Sequence, residues 1–266
     1  IDTEHFRAVA MQRYRIRVGL GLPQDAWIYA LFGGAGRPDG KGQFYFIKAA
    51  AQVLARCPKS YFFCVGDGEL IPQLRQQADA LGLSGRMHFR PFEYDISALM
   101  QGIDVLVHNA AIGALKPADR LRVSHWDLTL ESSLRPFWLL SKLALPLLSP
   151  GGSIVGLSSL GSVRHTPGYA AMGAAKAGVE ALTRQLAVEL APDVRVNTVR
   201  GGLVRTDALH AFPEHDTFAT EVEAATPLGS LARPEDLAEA VAFLASPAAA
   251  AITGQVLVVD GGFSAR

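Results

Sequence analysis

Ser153-Ile-Val-Gly-Leu-Ser158 and, one short turn later, Gly168-Tyr-Ala-Ala-Met-Gly-Ala-Ala-Lys-Ala-Gly-Val-Glu-Ala-Leu-Thr-Arg-Gln-Leu-Ala-Val-Glu-Leu190 are the stretch that decides the fold. The first is a short apolar run, as in a strand buried on both faces. The second has the length and composition of a long alanine-rich helix. A strand that feeds a helix is the repeating unit of a parallel α/β sheet. The alternation extends both ways from here. Further strand-like runs are Trp27–Phe32, Tyr61–Val65, Met87–Arg90, Asp104–His108, Val194–Val199 and Gln255–Val259. Helical patterns lie near Gly42–Arg56, Glu69–Leu81, Ile96–Gln101, Trp126–Leu148 and Pro234–Leu244. Ile1–Pro23 reads as a leader with one short helix over Ala10–Val18. Asp207–Pro227 has weak periodicity and follows a strand's carboxyl end, a place where such folds keep lids.

The same stretch carries the chemistry. Tyr169 and Lys176 are two helical turns apart, so phenol and ammonium share one face. Ser158 and Ser159 end the preceding strand. A hydroxyl, a phenol and a lysine that converge can polarise a carbonyl and hand it a proton. A nearby ammonium would favour the phenolate and lower the tyrosine's pKa. The alternative is a surface Tyr and a surface Lys on an alanine-rich helix.

Composition bounds the rest. The chain has 266 residues, 49% of them apolar, enough for a large single core. Its formal net charge is zero with charges interspersed, which gives no basic footprint for nucleic acid. No apolar run reaches the roughly 18–20 residues of a membrane span, and no signal-peptide pattern opens the chain. Cys57 and Cys64 are too few for a disulfide scaffold and lack metal-ligand spacing, and read as thiols in a reducing, cytoplasmic compartment. The seven histidines are scattered, so no metal site is expected.

A doubly wound sheet binds its ligand where strand order reverses, here between the first and fourth strands. The first strand ends in Gly33-Gly-Ala-Gly-Arg-Pro-Asp-Gly-Lys-Gly42. Backbone amides around Gly34, Gly36 and Gly40, the following helix N-terminus and Lys41 suit a pyrophosphate. The spacing is one residue longer than the usual dinucleotide fingerprint, and Pro38 removes one amide donor. A plain loop is the other reading. Asp67, in Val65-Gly-Asp-Gly68, could accept from a ribose 2′-hydroxyl and would repel a 2′-phosphate, which favours NADH over NADPH. It could equally be an acid in a glycine-flanked turn.

From about Asp104 onward the chain resembles a short-chain dehydrogenase/reductase, and within that superfamily the enoyl-acyl-carrier-protein reductase III type. The residues that carry the likeness are Asp104-Val-Leu-Val-His-Asn-Ala-Ala111, Ser158-Ser-Leu-Gly-Ser162, Tyr169-x6-Lys176, Val196–Leu209 and Gly254-Gln-Val-Leu-Val-Val-Asp-Gly-Gly262. Most of the superfamily spaces its Tyr three residues closer to Lys, where this chain has Met172. The family's helix Asn is replaced by Ser133. The resemblance implies an NAD(H)- or NADP(H)-dependent reduction of an acyl-thioester or other small-molecule substrate. Tyr169 would be proton donor, aided by Ser159, and Lys176 would hold the nicotinamide ribose. Asn109 and Ala110 would lie against that ribose, and Val204 and Thr206 would fix the carboxamide and phosphate. Related reductases pair their two long helices across two-fold axes, which implies a homo-oligomer.

The first hundred residues resemble another family. Trp27–Gly42, Tyr61–Leu70, Leu81–Phe89 and Asp95–Met100 follow the order of the donor-binding half of a family 4 glycosyltransferase, whose diphosphate-holding Arg and Lys match Arg37 and Lys41. That family's Glu-x7-Glu motif is missing, and the patterns change over near Ile103–His108. The chain therefore reads as one Rossmann-like domain, 1–266, built from two half-units, 1–103 and 104–266. A recombined chain or a fragment fits that pattern. A catalytically silent scaffold that binds a nucleoside diphosphate at the glycine-rich loop is the competing reading; an active glycosyltransferase is a distant third.

Overall fold

The computed structural model describes residues 14–15, 17–32, 43–91, 104–109, 111–145, 148, 150–205, 209 and 215–266. Seven strands form one sheet: β1 (Trp27–Phe32), β2 (Ser60–Val65), β3 (Met87–Arg90), β4 (Val105–His108), β5 (Gly152–Ser159), β6 (Val194–Gly201) and β7 (Val256–Val259). Their order is β3-β2-β1-β4-β5-β6-β7, the doubly wound arrangement, with strand order reversing between β1 and β4. The β1–β2, β2–β3, β1–β4 and β6–β7 pairs are all parallel. The helices are α1 (Gln43–Arg56), α2 (Ile71–Ala80), α3 (Val123–Ser133), α4 (Arg135–Ala144), α5 (Ala170–Glu189), α6 (His215–Ala225) and α7 (Pro234–Ala245).

The chain divides into two compact units. The first holds residues 1–107, 140–154 and 190–195. Its core is Ile47, Phe62, Cys64, Leu74, Leu83 and Met87 with their neighbours, from α1, α2, β2 and β3. Tyr29 stacks on Phe62 at 5.3 Å between ring centroids. Burial raises the Cys64 thiol to about 11, so it stays protonated. The segment before β1 is more than a leader. Residues 14–15 and 17–19 are helical, and Arg17 is fully buried. Its guanidinium donates to the Gln24 carbonyl at 2.7 Å, the Ala26 carbonyl at 2.9 Å and Asp104 Oδ2 at 2.9 Å. Asp104 Oδ2 also accepts from the Ile28 amide at 3.0 Å. One buried ion pair thus fixes the entry into β1 against the entry into β4.

The second unit holds residues 108–139, 155–189 and 196–266. α5 lies across β5 at Gly156, where an added Cβ would come within 3.1 Å of Val179 and 3.2 Å of Phe137. Its buried face is Ala171, Met172, Ala175, Lys176, Val179, Glu180, Thr183, Leu186 and Ala187, and two of these are charged.

Two expectations need correction. The helix expected over 126–148 is two helices, α3 and α4, broken at Leu134. Pro136 supplies the reason, since its ring cannot be accommodated by an unbroken helix. The weakly periodic segment 207–227 contains α6, whose Ala219 and Val222 pack with Leu209 and Leu231 in a small core of their own. The helix expected over 96–101 lies outside the described residues.

Candidate active site

β5 delivers Ser158 and Ser159 to its carboxyl end, a short turn (Leu160–Ser162) follows, and Tyr169 directly precedes α5. Ser159 Oγ and the Tyr169 hydroxyl are 3.1 Å apart, a hydrogen bond in which either can donate. Two glycines allow that approach. A Cβ on Gly161 would stand 2.3 Å from the Tyr169 ring, and one on Gly173 would stand 2.6 Å from the Gly161 carbonyl oxygen.

Two turns along α5, Lys176 is 6% exposed and donates from Nζ to the Leu157 carbonyl at 2.9 Å. Burial pulls its ammonium down to about 8. The Tyr169 phenol moves opposite to the expectation that Lys176 would lower it. Burial raises its pKa, and the Ser159 hydrogen bond works the other way. The phenol is therefore held protonated at neutral pH, the form a proton donor needs.

Ser158 does not join this pair. Its Oγ donates to Glu180 Oε1 at 2.6 Å. Met172, in the place where most of the superfamily has its Tyr, is buried against Gly113. Ser133 is fully buried; its hydroxyl accepts from the Ile112 amide at 3.2 Å and lies 3.0 Å from the Ile112 carbonyl. It anchors the loop after β4.

Among the expected cofactor residues, Asn109 is exposed just beyond β4, and Val204 forms an isolated parallel bridge with Ala232. Asp67 belongs to the first unit and is exposed between Gly66 and Gly68, both at positive φ. Gly34, Gly36, Gly40, Lys41, Ala110 and Thr206 lie outside the described residues. Among the described residues no cluster of His, Cys, Asp and Glu could hold a metal ion.

Three functional-looking residues escaped the sequence reading. Glu180, which is buried, and Arg200, which is half-buried, form an ion pair with Nη2–Oε2 at 2.6 Å. A signal for Glu180 existed, a carboxylate one turn after Lys176 on a face where Ala171, Met172, Ala175 and Val179 are apolar. His108, 2% exposed, ends β4 beside Phe137, with ring centroids 5.5 Å apart. Neither ring nitrogen has a hydrogen-bond partner among the described residues. Burial, reinforced by the Lys176 charge, pulls its pKa down to about 4, so the ring is neutral.

A cavity of about 670 Å³ opens against Tyr169, lined also by Gly161, Gly173, Lys116, Arg164 and His165. A half-buried hydroxyl–phenol pair beside an open cavity, with a desolvated lysine two turns along the same helix, can stabilise negative charge that develops on a substrate oxygen.

The enoyl-(acyl carrier protein) reductase family model matches residues 92–264. The chain belongs to the short-chain dehydrogenase/reductase family. The glycosyl transferases group 1 model matches residues 28–113, so the two matches overlap around the changeover at Ile103–His108. The 1-cyclohexenylcarbonyl-CoA reductase of Streptomyces collinus is 41% identical over 169 residues, 61% of this chain. The matched stretch spans only 59% of that reductase's own length. A tropinone reductase homolog of Arabidopsis thaliana is 32% identical over 230 residues, 82% of this chain and 86% of its own. Among solved structures, a short-chain dehydrogenase/reductase from Brucella melitensis shares 29% identity at TM-score 0.71, covering 91% of this chain and 97% of its own. The Bacillus cereus enoyl-acyl carrier protein reductase in complex with NADP+ shares the fold, with TM-score 0.77 at 23% identity over 90% of this chain and 97% of its own.

Proposed function

We propose that the chain is an NAD(P)H-dependent oxidoreductase that reduces an enoyl thioester, with Tyr169 as proton donor. The Ser159–Tyr169 hydrogen bond, made by a half-buried phenol, carries this reading. The nicotinamide supplies the hydride when bound. Lys176 fits its ribose. The ammonium is buried, and its hydrogen bond to Leu157 uses one of three N–H donors, so a diol would supply acceptors that burial otherwise denies it. Asn109 and Val204 would line the same side. As charge develops on the thioester oxygen, Tyr169 and Ser159 donate to it, and the Tyr169 proton passes to the substrate. The relatives' names, a CoA-thioester reductase among them, support this substrate class. Asp67, exposed at the end of β2, supports NADH over NADPH.

Apolar side chains left exposed on α3 and α4 (Trp126, Leu128, Trp138, Leu139 and Leu143) support a homo-oligomer, with light scattering as its test. Phe137, Val179 and Leu186 are buried and do not contribute to such a patch. Among the described residues no helix is long and apolar enough to cross a membrane. A cytoplasmic location and one Rossmann-like domain built from two family halves complete the proposal.

The glycosyltransferase match over 28–113 favours a second reading, a catalytically silent scaffold that binds a nucleoside diphosphate. Calorimetric titration with NADH, NADPH and UDP separates the two. Binding of a reduced nicotinamide and its consumption by crotonyl-CoA support the first reading; binding of UDP alone supports the second.

A further inference from the structure

Three side chains from three elements converge on one carboxylate. Glu180 on α5 is 5% exposed. Its Oε1 accepts from Ser158 Oγ at 2.6 Å, lies 2.6 Å from Ser162 Oγ, and accepts from Arg200 Nε at 2.9 Å. Its Oε2 accepts from Arg200 Nη2 at 2.6 Å. Ser162 Oγ also lies 2.8 Å from the Ser159 carbonyl oxygen. The two serines therefore bracket the turn that starts at Ser159, and Ser159 is the residue bonded to Tyr169.

A carboxylate here is costly to bury, and an apolar residue would cover the sheet more cheaply. Burial does work to raise the Glu180 carboxyl, but the hydrogen bonds from Arg200, Ser158 and Ser162 outweigh it and hold the group ionised. What the carboxylate gains is a fixed anchor. It is rigid because the forked guanidinium grips both oxygens. It is single because both serine hydroxyls meet the same oxygen.

We infer that Glu180, clamped by Arg200, is a positioning residue that holds both ends of the Ser158–Ser162 turn and thereby sets the Ser159–Tyr169 hydrogen bond. It touches no substrate and acts through Ser159. The arrangement rests on Ser159 and Tyr169 as the reacting pair, and it explains why the buried face of α5 carries a second charge one turn beyond Lys176.

Glu180→Gln and Ser162→Ala test it. A glutamine keeps the shape but turns an amide donor toward either the serines or the guanidinium, so one side of the clamp fails. Ser162→Ala removes one anchor and leaves the ion pair, so it still reports if Glu180→Gln does not fold. The direct readout is the ultraviolet titration of the Tyr169 phenol, taken as the difference between each protein and its Tyr169→Phe counterpart. Weakening the Ser159 bond removes an influence that lowers the phenol, so both variants should titrate at higher pH than the parent chain. In parallel, kcat with NADH and crotonyl-CoA should fall about five- to tenfold, with KM for NADH within about twofold. Titration and kcat unchanged within about twofold in the folded variants, with only thermal stability lowered, would overturn the inference. A parent chain without reductase activity would refute the functional reading alone, and the titration would still decide the role of Glu180.

Discussion

Lys176→Met should make the protein more stable at neutral pH while removing its function. Folding moves this ammonium from an ordinary lysine value of 10.5 to about 8, and burial is the cause. A gap of roughly 2.5 units at about 1.4 kcal/mol per unit is a penalty of about 3 kcal/mol on the charged folded form. Below pH 8 both folded and unfolded chains carry the proton, so the folded protein bears the whole penalty. Between pH 8 and 10.5 the folded lysine is neutral while the unfolded one still binds its proton, so stability rises with pH. Above 10.5 the penalty is gone. Methionine has similar volume and no charge, so it escapes the penalty. It loses the bond to the Leu157 carbonyl, at a cost of about 1–2 kcal/mol. The net expectation is a gain of about 1–2 kcal/mol at pH 7 that vanishes and reverses toward pH 10.5. Urea denaturation of the cofactor-free proteins across that range measures it. A variant that is less stable than the parent at pH 7, or a difference that stays flat with pH, would refute the reasoning.

Tyr169→Phe should lower kcat by about a hundredfold or more while leaving NADH affinity nearly unchanged, as steady-state kinetics and calorimetry would show. Gly161→Ala places a methyl group 2.3 Å from the Tyr169 ring, so the ring must move; kcat should fall about a hundredfold, and a circular-dichroism melt should show an intact fold. Arg17→Met takes the guanidinium away from the buried Asp104 carboxylate, and denaturant titration should show a loss of about 3–5 kcal/mol.

The α/β alternation was legible because strands buried on both faces are short apolar runs, and all seven observed strands lie within a residue or two of those runs. Tyr169 and Lys176 were legible because helix geometry alone puts them on one face. Ser159 followed from the strand's end. The direction of the Tyr169 shift was not legible. It depends on how deeply the phenol is buried, which the spacing of two residues does not contain. Glu180 and Arg200 were missed because the partners of Glu180, the Ser158–Ser162 turn on one side and Arg200 on the other, lie about twenty residues away in sequence and meet it only when α5 lies on the sheet. Arg17 was missed for a similar reason. A charged residue in an apparent leader gives no sign that its partner is Asp104. The break at Leu134 could have been read from Pro136, but the apolar residues on both sides of it suggested one continuous helix.

The most direct test of the account is a single-turnover reaction of excess protein with reduced nicotinamide and crotonyl-CoA, followed by the loss of nicotinamide absorbance and by mass analysis of the acyl product. Hydride addition with Tyr169 as proton donor should give stoichiometric consumption of the nicotinamide with formation of butyryl-CoA, and a rate at least about a hundredfold lower in Tyr169→Phe. Equal rates in the two proteins, or a parent chain that binds UDP and leaves the reduced nicotinamide untouched, would contradict it.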